Sequence, residues 1–559
     1  MELRRRKEIV TADVLIVGGG IGGMQAAIAA AELGVKTVVA EKADTRRSGA
    51  GATGNDHFMC YIPEYHGDDF QEILNEVSET LVGPWQDVCM MRTMLERSFE
   101  LIKKWESYGI NMRPSGDYKF EGHAMPGRRR YHLKYDGHNQ KPLLTKKALE
   151  NGAIIMNKTN ITELLVDEQK RVVGALGICL ADEEPELVVF QTKTVIIATG
   201  KVVRLYPAFQ PAFPFNTASC PSSAGAGQAM ALRAGARLVN LDIPYIHSGL
   251  KCFQRCGKAT WIGVLTDING KPVGPFVNKP TRELGDVTAD IWQSVFSEKM
   301  EDGTGPVYMN CTQTSEEDLE YMKKALVSEG DTSILDYLDQ YKIDLRKEMV
   351  EFGTYEYNFS GRGLDVGVDG AASIPGLYAT GNAIGNVRGD ITSAAVFGQI
   401  SAESAAKYAN EHAFVDISGH PLIEEKAKEY NNYMTRTVGA HWLEANASLM
   451  QIMNEYIGVK VRSESLMKAG LKYLQDLKRY SIGQMRAENA HELMRVLEVL
   501  DLIDVGIATA IISENRKESR GKCHNRTDYP FTNPLLNNKF QTIEYTENGP
   551  KLDFRKKMK

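Results

Sequence analysis

Gly18, Gly20 and Gly23 fall in the G-x-G-x-x-G spacing, and Glu41 follows them. Its offset is about 20 residues, the separation a ribose-binding acid keeps in dinucleotide sites. The chemistry of such a set is phosphate and ribose binding. The first glycine permits a tight turn, the second lets backbone approach a pyrophosphate, and the third lets a helix pack closely on a strand. Gly22 lies inside the same turn, and Lys42 directly follows the acid. A second polar concentration runs from Phe120 to Lys141, where Arg128, Arg129, Arg130, His123, His132 and His138 stand close together.

Elements must hold these residues. The apolar run Val14–Val17 reads as a strand buried on both faces, Ala26–Leu33 as the helix after the glycine turn, and Thr37–Ala40 as the next strand. Phosphates would sit at the helix N-terminus, where free N–H groups and the helix dipole favour negative charge. Small residues dominate Ser48–Gly54, so Ser48, Gly49, Ala50, Thr53 and Gly54 can bring backbone against a flat ligand. Helical periodicity covers Phe70–Val82 and Asp87–Gly109, and a further helix begins at Pro142. Strands are expected at Ala153–Met156, Glu163–Val166, Arg171–Ile178 and Thr194–Ala198, the last ending in Thr199-Gly200. A third strand-and-turn, Gly376–Ala383, presents Gly381 and Asn382. The amphipathic helix after it, entered through Ser393 and Ala394, again offers N–H groups at its start.

Composition excludes several classes. At 559 residues the chain needs more than one core. A net charge of −6 gives no electrostatic reason to bind nucleic acid. The basic opening MELRRRKE is followed by a strand, not by an apolar signal region, so no secretory signal is expected. No apolar run reaches the roughly 18 residues of a membrane span. The cysteines are scattered, and Cys252 with Cys256 matches no zinc or iron–sulfur spacing. The expectation is a reduced cytoplasmic protein with no metal site.

GGGIGG, ATG and GLYATGNA, in this order, resemble the FAD-binding domain of the succinate dehydrogenase/fumarate reductase flavoprotein family. Arg516–Pro530, RKESRGKCHNRTDYP, is similar to that family's C-terminal ESRG-x-H-x-R-x-D-x-P signature. Within the family the chain is most similar to the adenylylsulfate reductase alpha subunit. The resemblance implies an α/β fold: a Rossmann-like, doubly wound FAD-binding domain with an inserted α+β capping domain and a C-terminal helical domain. The implied boundaries are 1–235 and 351–420 for the split FAD domain, 236–350 for the cap, 421–513 for a helical bundle, and 514–559 for a C-terminal tail, expected to lie across the surface after Thr527. The cofactor set is then Gly18, Gly20, Gly22, Gly23, Glu41, Lys42, Ser48, Gly49, Ala50, Thr53, Gly54, Thr199, Gly200, Gly381, Asn382, Ser393 and Ala394.

The same resemblance marks departures. Gly49 stands where respiratory members carry the histidine that binds FAD covalently, so this FAD is expected to be non-covalent. His138 stands in place of an active-site glutamate, Ile246 or His247 in place of a substrate arginine, and Arg388, Gly389 and Asp390 near a family histidine. In Phe276–Trp292 the proton-donating arginine of fumarate reductases would fall near Ala289 or Asp290. The catalytic candidates are therefore His138, His247, Arg388, Arg130, Arg128, Tyr245 and Arg282. Fixed cations stabilise a carbonyl or carboxylate that gains electron density, and histidine moves protons near neutral pH. His57 is expected to approach the flavin, and His524 and Arg526 to join domains. No second dinucleotide unit for a nicotinamide cofactor is seen, so the resemblance implies a ferredoxin-like iron–sulfur partner and a small anionic substrate, and leaves a higher oligomer open. The alternative is a flavin electron-transfer subunit without small-molecule turnover.

Overall fold

The computed structural model describes residues 2–79, 83–121, 128–207, 214–217, 219–251, 261–274, 278–282, 295–521 and 523–559, with the side chains of residues 247 and 356 also outside it. His123, Cys252, Cys256, Ala289 and Asp290 lie outside the described residues, as do the last positions of the helix expected over Phe70–Val82.

The strand Val10–Val17 is buried and apolar over Val14–Val17 because it lies between two parallel neighbours inside the sheet. Its neighbours are Thr37–Glu41 on one side and Glu186–Ile197 on the other, with Ile154–Asn157 beyond the former and Leu377–Ala379 parallel to the end of the latter. An antiparallel pair, Thr159–Val166 with Val172–Cys179, extends the same sheet from the start of Glu186–Ile197. Parallel strands covered on both faces read as continuous apolar runs, which is why this part of the sequence is so distinctive. The helices Ile21–Glu32 and Asp390–Glu411 cross closely, since a Cβ on Gly398 would lie 2.5 Å from the carbonyl oxygen of Gly22.

A second sheet, in the order Tyr245–Leu250, Val350–Asn358, Val307–Asn310, Val264–Thr266, carries its own core. Trp261, Leu319, Met322, Leu326 and Phe352 fill it, beneath the helices Glu316–Ser328 and Thr332–Gln340. This is the cap. Its last strand runs past position 350, because Val350–Asn358 is the strand that joins it to the cofactor domain.

Four helices follow: Pro421–Thr435, Trp442–Tyr456, Glu464–Gln484 and Ala490–Asn515. Their starts are legible locally. His441 and Glu444 form a reciprocal capping box, and Ser463 and Asn489 each accept from a first-turn N–H.

The C-terminal segment departs from the surface tail expected of it. Lys539–Thr546 and Gly549–Lys556 form a hairpin, and the first of these strands pairs with Leu238–Val239. Phe540 and Ile543 are buried by that pairing. Phe540, Thr542, Ile543 and Tyr545 are β-formers, but the segment lacks strict apolar–polar alternation, so its strand character is weak in the sequence. Among the described residues no helix is long and apolar enough to cross a membrane.

Candidate functional site

The glycine turn is sterically committed. Gly18 has φ +101°, and a Cβ there would lie 2.7 Å from the Ala198 carbonyl oxygen; on Gly23 it would lie 1.9 Å from the Gly18 carbonyl oxygen. On Gly22 it would meet the Thr380 methyl at 2.8 Å. The first turn of the Ile21–Glu32 helix has no acidic side chain, and its N-cap, Gly20, makes no side-chain hydrogen bond. Those N–H groups are left for a ligand. Glu41 ends its strand against the turn, accepting from the Gly19 N–H at 2.6 Å and from the Ala43 N–H at 2.8 Å.

Three buried hydroxyl oxygens around this cradle, Thr45 Oγ1, Thr199 Oγ1 and Thr392 Oγ1, have no hydrogen-bond partner. Buried polar atoms are rarely left so. Orphaned hydroxyls beside a glycine-lined helix N-terminus fit a dinucleotide cofactor, and FAD would be held here by the turn, Glu41 and these threonines.

Lys141 completes the cradle. It is fully buried, and its Nζ donates to the Gly19 carbonyl. Burial lowers its pKa to about 7, against the opposing pull of Glu41 and Asp44. A buried ammonium is costly without a counter-charge, and a pyrophosphate beside Gly19 would supply one. Residue order does not single this lysine out, since one lysine in a polar run carries no signal of its burial.

The Ser48–Gly54 loop folds onto the turn through Ser48, Gly49 and Gly51, a Cβ on Gly51 meeting Ile21 at 2.8 Å. Ser48 Oγ donates to the Gly19 carbonyl at 3.4 Å, and a Cβ on Gly49 would stand 3.2 Å from Gly20 Cα. Ala50 is exposed. Thr53 and Gly54 instead meet the cap: Thr53 Oγ1 donates to the Glu329 carbonyl at 3.2 Å, and a Cβ on Gly54 would lie 2.2 Å from the Ser328 carbonyl oxygen. Lys42 turns away to pair with Glu498 at 2.8 Å, tying the cofactor domain to the last long helix. Burial alone would raise the Glu498 pKa, but Lys42, Arg204 and Arg495 outweigh it and hold the carboxyl at about 2.

The third glycine turn builds the other wall. Gly200 and Gly381 have positive φ, +79° and +65°. Asn382 Oδ1 accepts from Ser360 Oγ at 3.1 Å, and Thr380 Oγ1 donates to the Ala394 carbonyl at 2.8 Å. Ser393 Oγ accepts from the Gly389 N–H at 3.0 Å, closing the first turn of the Asp390–Glu411 helix. Asp390, the first residue of that helix, has φ +45°, a conformation costly for a residue with a side chain.

Arg388 stands two residues before it. Its guanidinium lies 3.9 Å from the centre of the Tyr245 ring, and Nε is 3.4 Å from Asp390 Oδ1. A second arginine is packed beside it: a Cβ on Gly361 would lie 2.8 Å from Arg388 Cβ, and the next residue is the buried Arg362. Arg362 donates Nε to the Ile243 carbonyl and Nη1 to the Gly361 carbonyl, both at 2.8 Å. Burial, then the charge of Arg388, lowers its pKa to about 10. Asn358, opposite Tyr245 in the cap sheet, is buried with its Oδ1 unpartnered. Two guanidiniums and an amide thus gather where a helix N-terminus meets the cap. The one legible trace of Arg362 is an arginine set among small residues in Ser360–Gly363.

Of the remaining candidates, those with described side chains are engaged elsewhere. His138 has a side chain 59% exposed, against 7% for Arg388, and its Nδ1 lies 2.7 Å from Asp136. Arg128 pairs with Glu76 at 2.8 Å, Arg129 with Glu72 at 3.0 Å, and Arg130 donates to the Phe120 carbonyl at 3.3 Å. Arg282 is held by Glu317 and Asp318 of the cap helix. His247 lies in the strand Tyr245–Leu250 at a register shift, with its side chain outside the described positions. His57 is buried, its Nδ1 2.7 Å from Asp56. Asp56, His57 and Glu329 bring one ligand atom each within 4.8 Å of the others, but the Lys134 ammonium already pairs with Asp56. A lysine holds the cation's place in this cluster.

The C-terminal signature is structural. Arg526 Nη1 donates to the carbonyls of Ser513, Glu514 and Arg516, closing the end of the last long helix. His524 accepts from Arg462 at Nδ1 and donates Nε2 to the Arg516 carbonyl. Burial and the charges of Arg462 and Arg516 push its pKa well below the usual value, so it acts as a neutral link.

Residues 13–393 match the FAD binding domain family, and residues 446–556 match the fumarate reductase flavoprotein C-terminal family. The chain is 25% identical to a subunit of the CoM/CoB fumarate reductase of Methanothermobacter marburgensis, over 96% of this chain and 98% of that one. It is 24% identical to the succinate dehydrogenase flavoprotein of Coxiella burnetii, over 92% of each. Among solved structures, adenylylsulfate reductase of Archaeoglobus fulgidus superposes with a TM-score of 0.84 at 21% identity, covering 100% of this chain and 98% of that one. The E. coli quinol fumarate reductase FrdA superposes at 0.81 with 19% identity, covering 98% and 97%. The chain therefore belongs to the succinate dehydrogenase/fumarate reductase flavoprotein family and is an FAD-dependent oxidoreductase.

Proposed function

We propose that this protein is a catalytic flavoprotein subunit that reduces or oxidises a small anionic substrate at a non-covalent FAD, exchanging electrons with a ferredoxin-like iron–sulfur partner. The observation that carries this reading is the buried pair Arg362 and Arg388 beside Tyr245. Cations fixed in a low-dielectric site stabilise developing negative charge without reorganising. FAD, when bound, supplies the redox chemistry, and the protein supplies orientation and charge. Arg388 would hold a substrate carboxylate or oxyanion, Arg362 would deepen the positive potential, and the cap strand would exclude water. The relatives' names, as subunits of fumarate reductase and succinate dehydrogenase, support a partner for electrons.

The test is anaerobic. The FAD-loaded protein is photoreduced, and flavin absorbance is followed on adding fumarate, adenylylsulfate, sulfite with AMP, enoates and enoyl thioesters. Fast reoxidation by one compound is the expected result. Reduced flavin that ignores them all yet passes electrons to an iron–sulfur protein would favour the second reading, an electron-transfer subunit, which the outward-facing His138 favours. Gly49 offers no side chain for a covalent link, so acid precipitation should leave the flavin in the supernatant, and yellow pelleted protein would contradict this.

A further inference from the structure

Where the cap meets the cofactor domain, buried carboxyls face one another. Asp56 precedes the strand His57–Met59, while Glu329 and Asp331 follow the cap helix Glu316–Ser328; all three are buried. Carboxylate oxygens of Asp56 and Glu329 lie within 4.8 Å of each other, and two buried carboxyls this close favour a form in which one carries a proton, since two carboxylates repel and only accept hydrogen bonds. The backbone around them is interlocked. A Cβ on Gly330 would lie 2.2 Å from Thr53 Cβ, and Thr53 donates to the Glu329 carbonyl. These contacts exist only with the cap docked.

The other charged and titratable groups at the seam come from each packed element. From the strand His132–Lys134, Lys134 pairs with Asp56 and His132 packs edge-on against His57, ring centres 5.4 Å apart. From the cofactor domain, His57 Nδ1 lies 2.7 Å from Asp56 Oδ1. From the cap, Tyr321 lies beneath both Lys134 and Arg282, and Arg282 is already paired with Glu317 and Asp318. Lys134 thus pairs with Asp56, and its positive charge also acts on Glu329.

We propose that this seam is a proton-operated latch: the cap docks on the cofactor domain with a proton held between Asp56 and Glu329, and loss of that proton releases it. Cap position governs water and substrate access to the cleft beneath, so the latch makes access to the site depend on pH.

The direction follows from linkage. Burial and the charge of Asp56 raise the Asp331 pKa to about 7, and burial followed by Asp56 pushes Glu329 well above the carboxylate range. With the cap open, both groups would return to about 4. The docked form therefore binds more protons. Docking is strongest below the open-state values, weakens as pH rises from there through about 7 for Asp331, and continues to weaken beyond for Glu329. Each proton released makes opening up to about tenfold easier per pH unit.

Hydrogen–deuterium exchange of the full-length, FAD-loaded protein between acid and alkaline pH tests this, with rates corrected for intrinsic exchange. Peptides covering 53–59 and 325–335 should lose protection as pH rises, by up to about tenfold per unit, while peptides within Ala490–Asn515 should not. Glu329→Gln, which keeps a neutral hydrogen-bonding group, should flatten the profile. A flat wild-type profile overturns the proposal, and so does a variant whose slope equals the wild type's. If Glu329→Gln loses its flavin, Asp331→Asn carries the same expectation, and the wild-type profile decides without either.

Discussion

Arg388→Gln should slow substrate-driven reoxidation of the reduced flavin by about 10²–10³-fold, the usual cost of deleting one fixed electrostatic donor at a reacting centre. Three features place that cost at Arg388. Its guanidinium is buried against the Tyr245 ring, it precedes the strained first residue of the helix that lines the cofactor cradle, and Arg362 is packed beside it. Arg388→Lys should recover only part of the rate, because an ammonium cannot present the planar fork that grips a carboxylate or oxyanion. The flavin content and visible spectrum of both variants should stay unchanged, which separates a reaction defect from a folding one. Reoxidation of Arg388→Gln at the wild-type rate would remove this arginine, and the site built on it, from consideration. Arg128→Gln and Arg282→Gln should leave the rate within about twofold, since their partners are structural carboxylates and half-exposed ion pairs contribute little.

The largest stability effect is expected at Arg516. Its side chain is fully buried between Asp242 and Glu518, with Asp242 equally inaccessible. Arg516→Met should cost about 3–5 kcal/mol, because it strands a charged Asp242 in the interior. Glu518 suffers less, as it keeps Arg520 at 2.7 Å. Asp242→Asn should cost less than Arg516→Met for the same reason in reverse: the guanidinium retains Glu518. The measurement is the urea midpoint of the FAD-loaded protein followed by helix circular dichroism. Equal midpoints for the two variants would contradict the ordering. Asp242 follows the strand Leu238–Val239, which pairs with Gly363–Leu364 and with the C-terminal hairpin, and Arg516 closes the last helix. This pair therefore clamps the C-terminal signature to the chain beside that strand.

The glycine turn, Glu41 and the turns at Thr199-Gly200 and Gly381 could be read directly from residue order, although the helix after the first turn begins at Ile21 rather than at the Ala26 expected. Each depends on neighbours within a few residues, or on a backbone conformation and close approach that glycine alone tolerates, as at Gly18 and Gly23. The helical bundle was equally visible, through the three- and four-residue spacing of its apolar residues. The substrate wall was not. His138, Arg128 and Arg388 were all candidates by position in the chain, yet His138 is exposed and Arg128 is spent on Glu76 while Arg388 is enclosed. Arg362 beside Arg388, Asp56 against Glu329, Lys141 under Gly19 and the C-terminal hairpin on Leu238–Val239 all join segments far apart in the chain. What a charged side chain can do depends on its desolvation and on the charge facing it. Both are properties of the packed interior, which no local pattern of residues encodes.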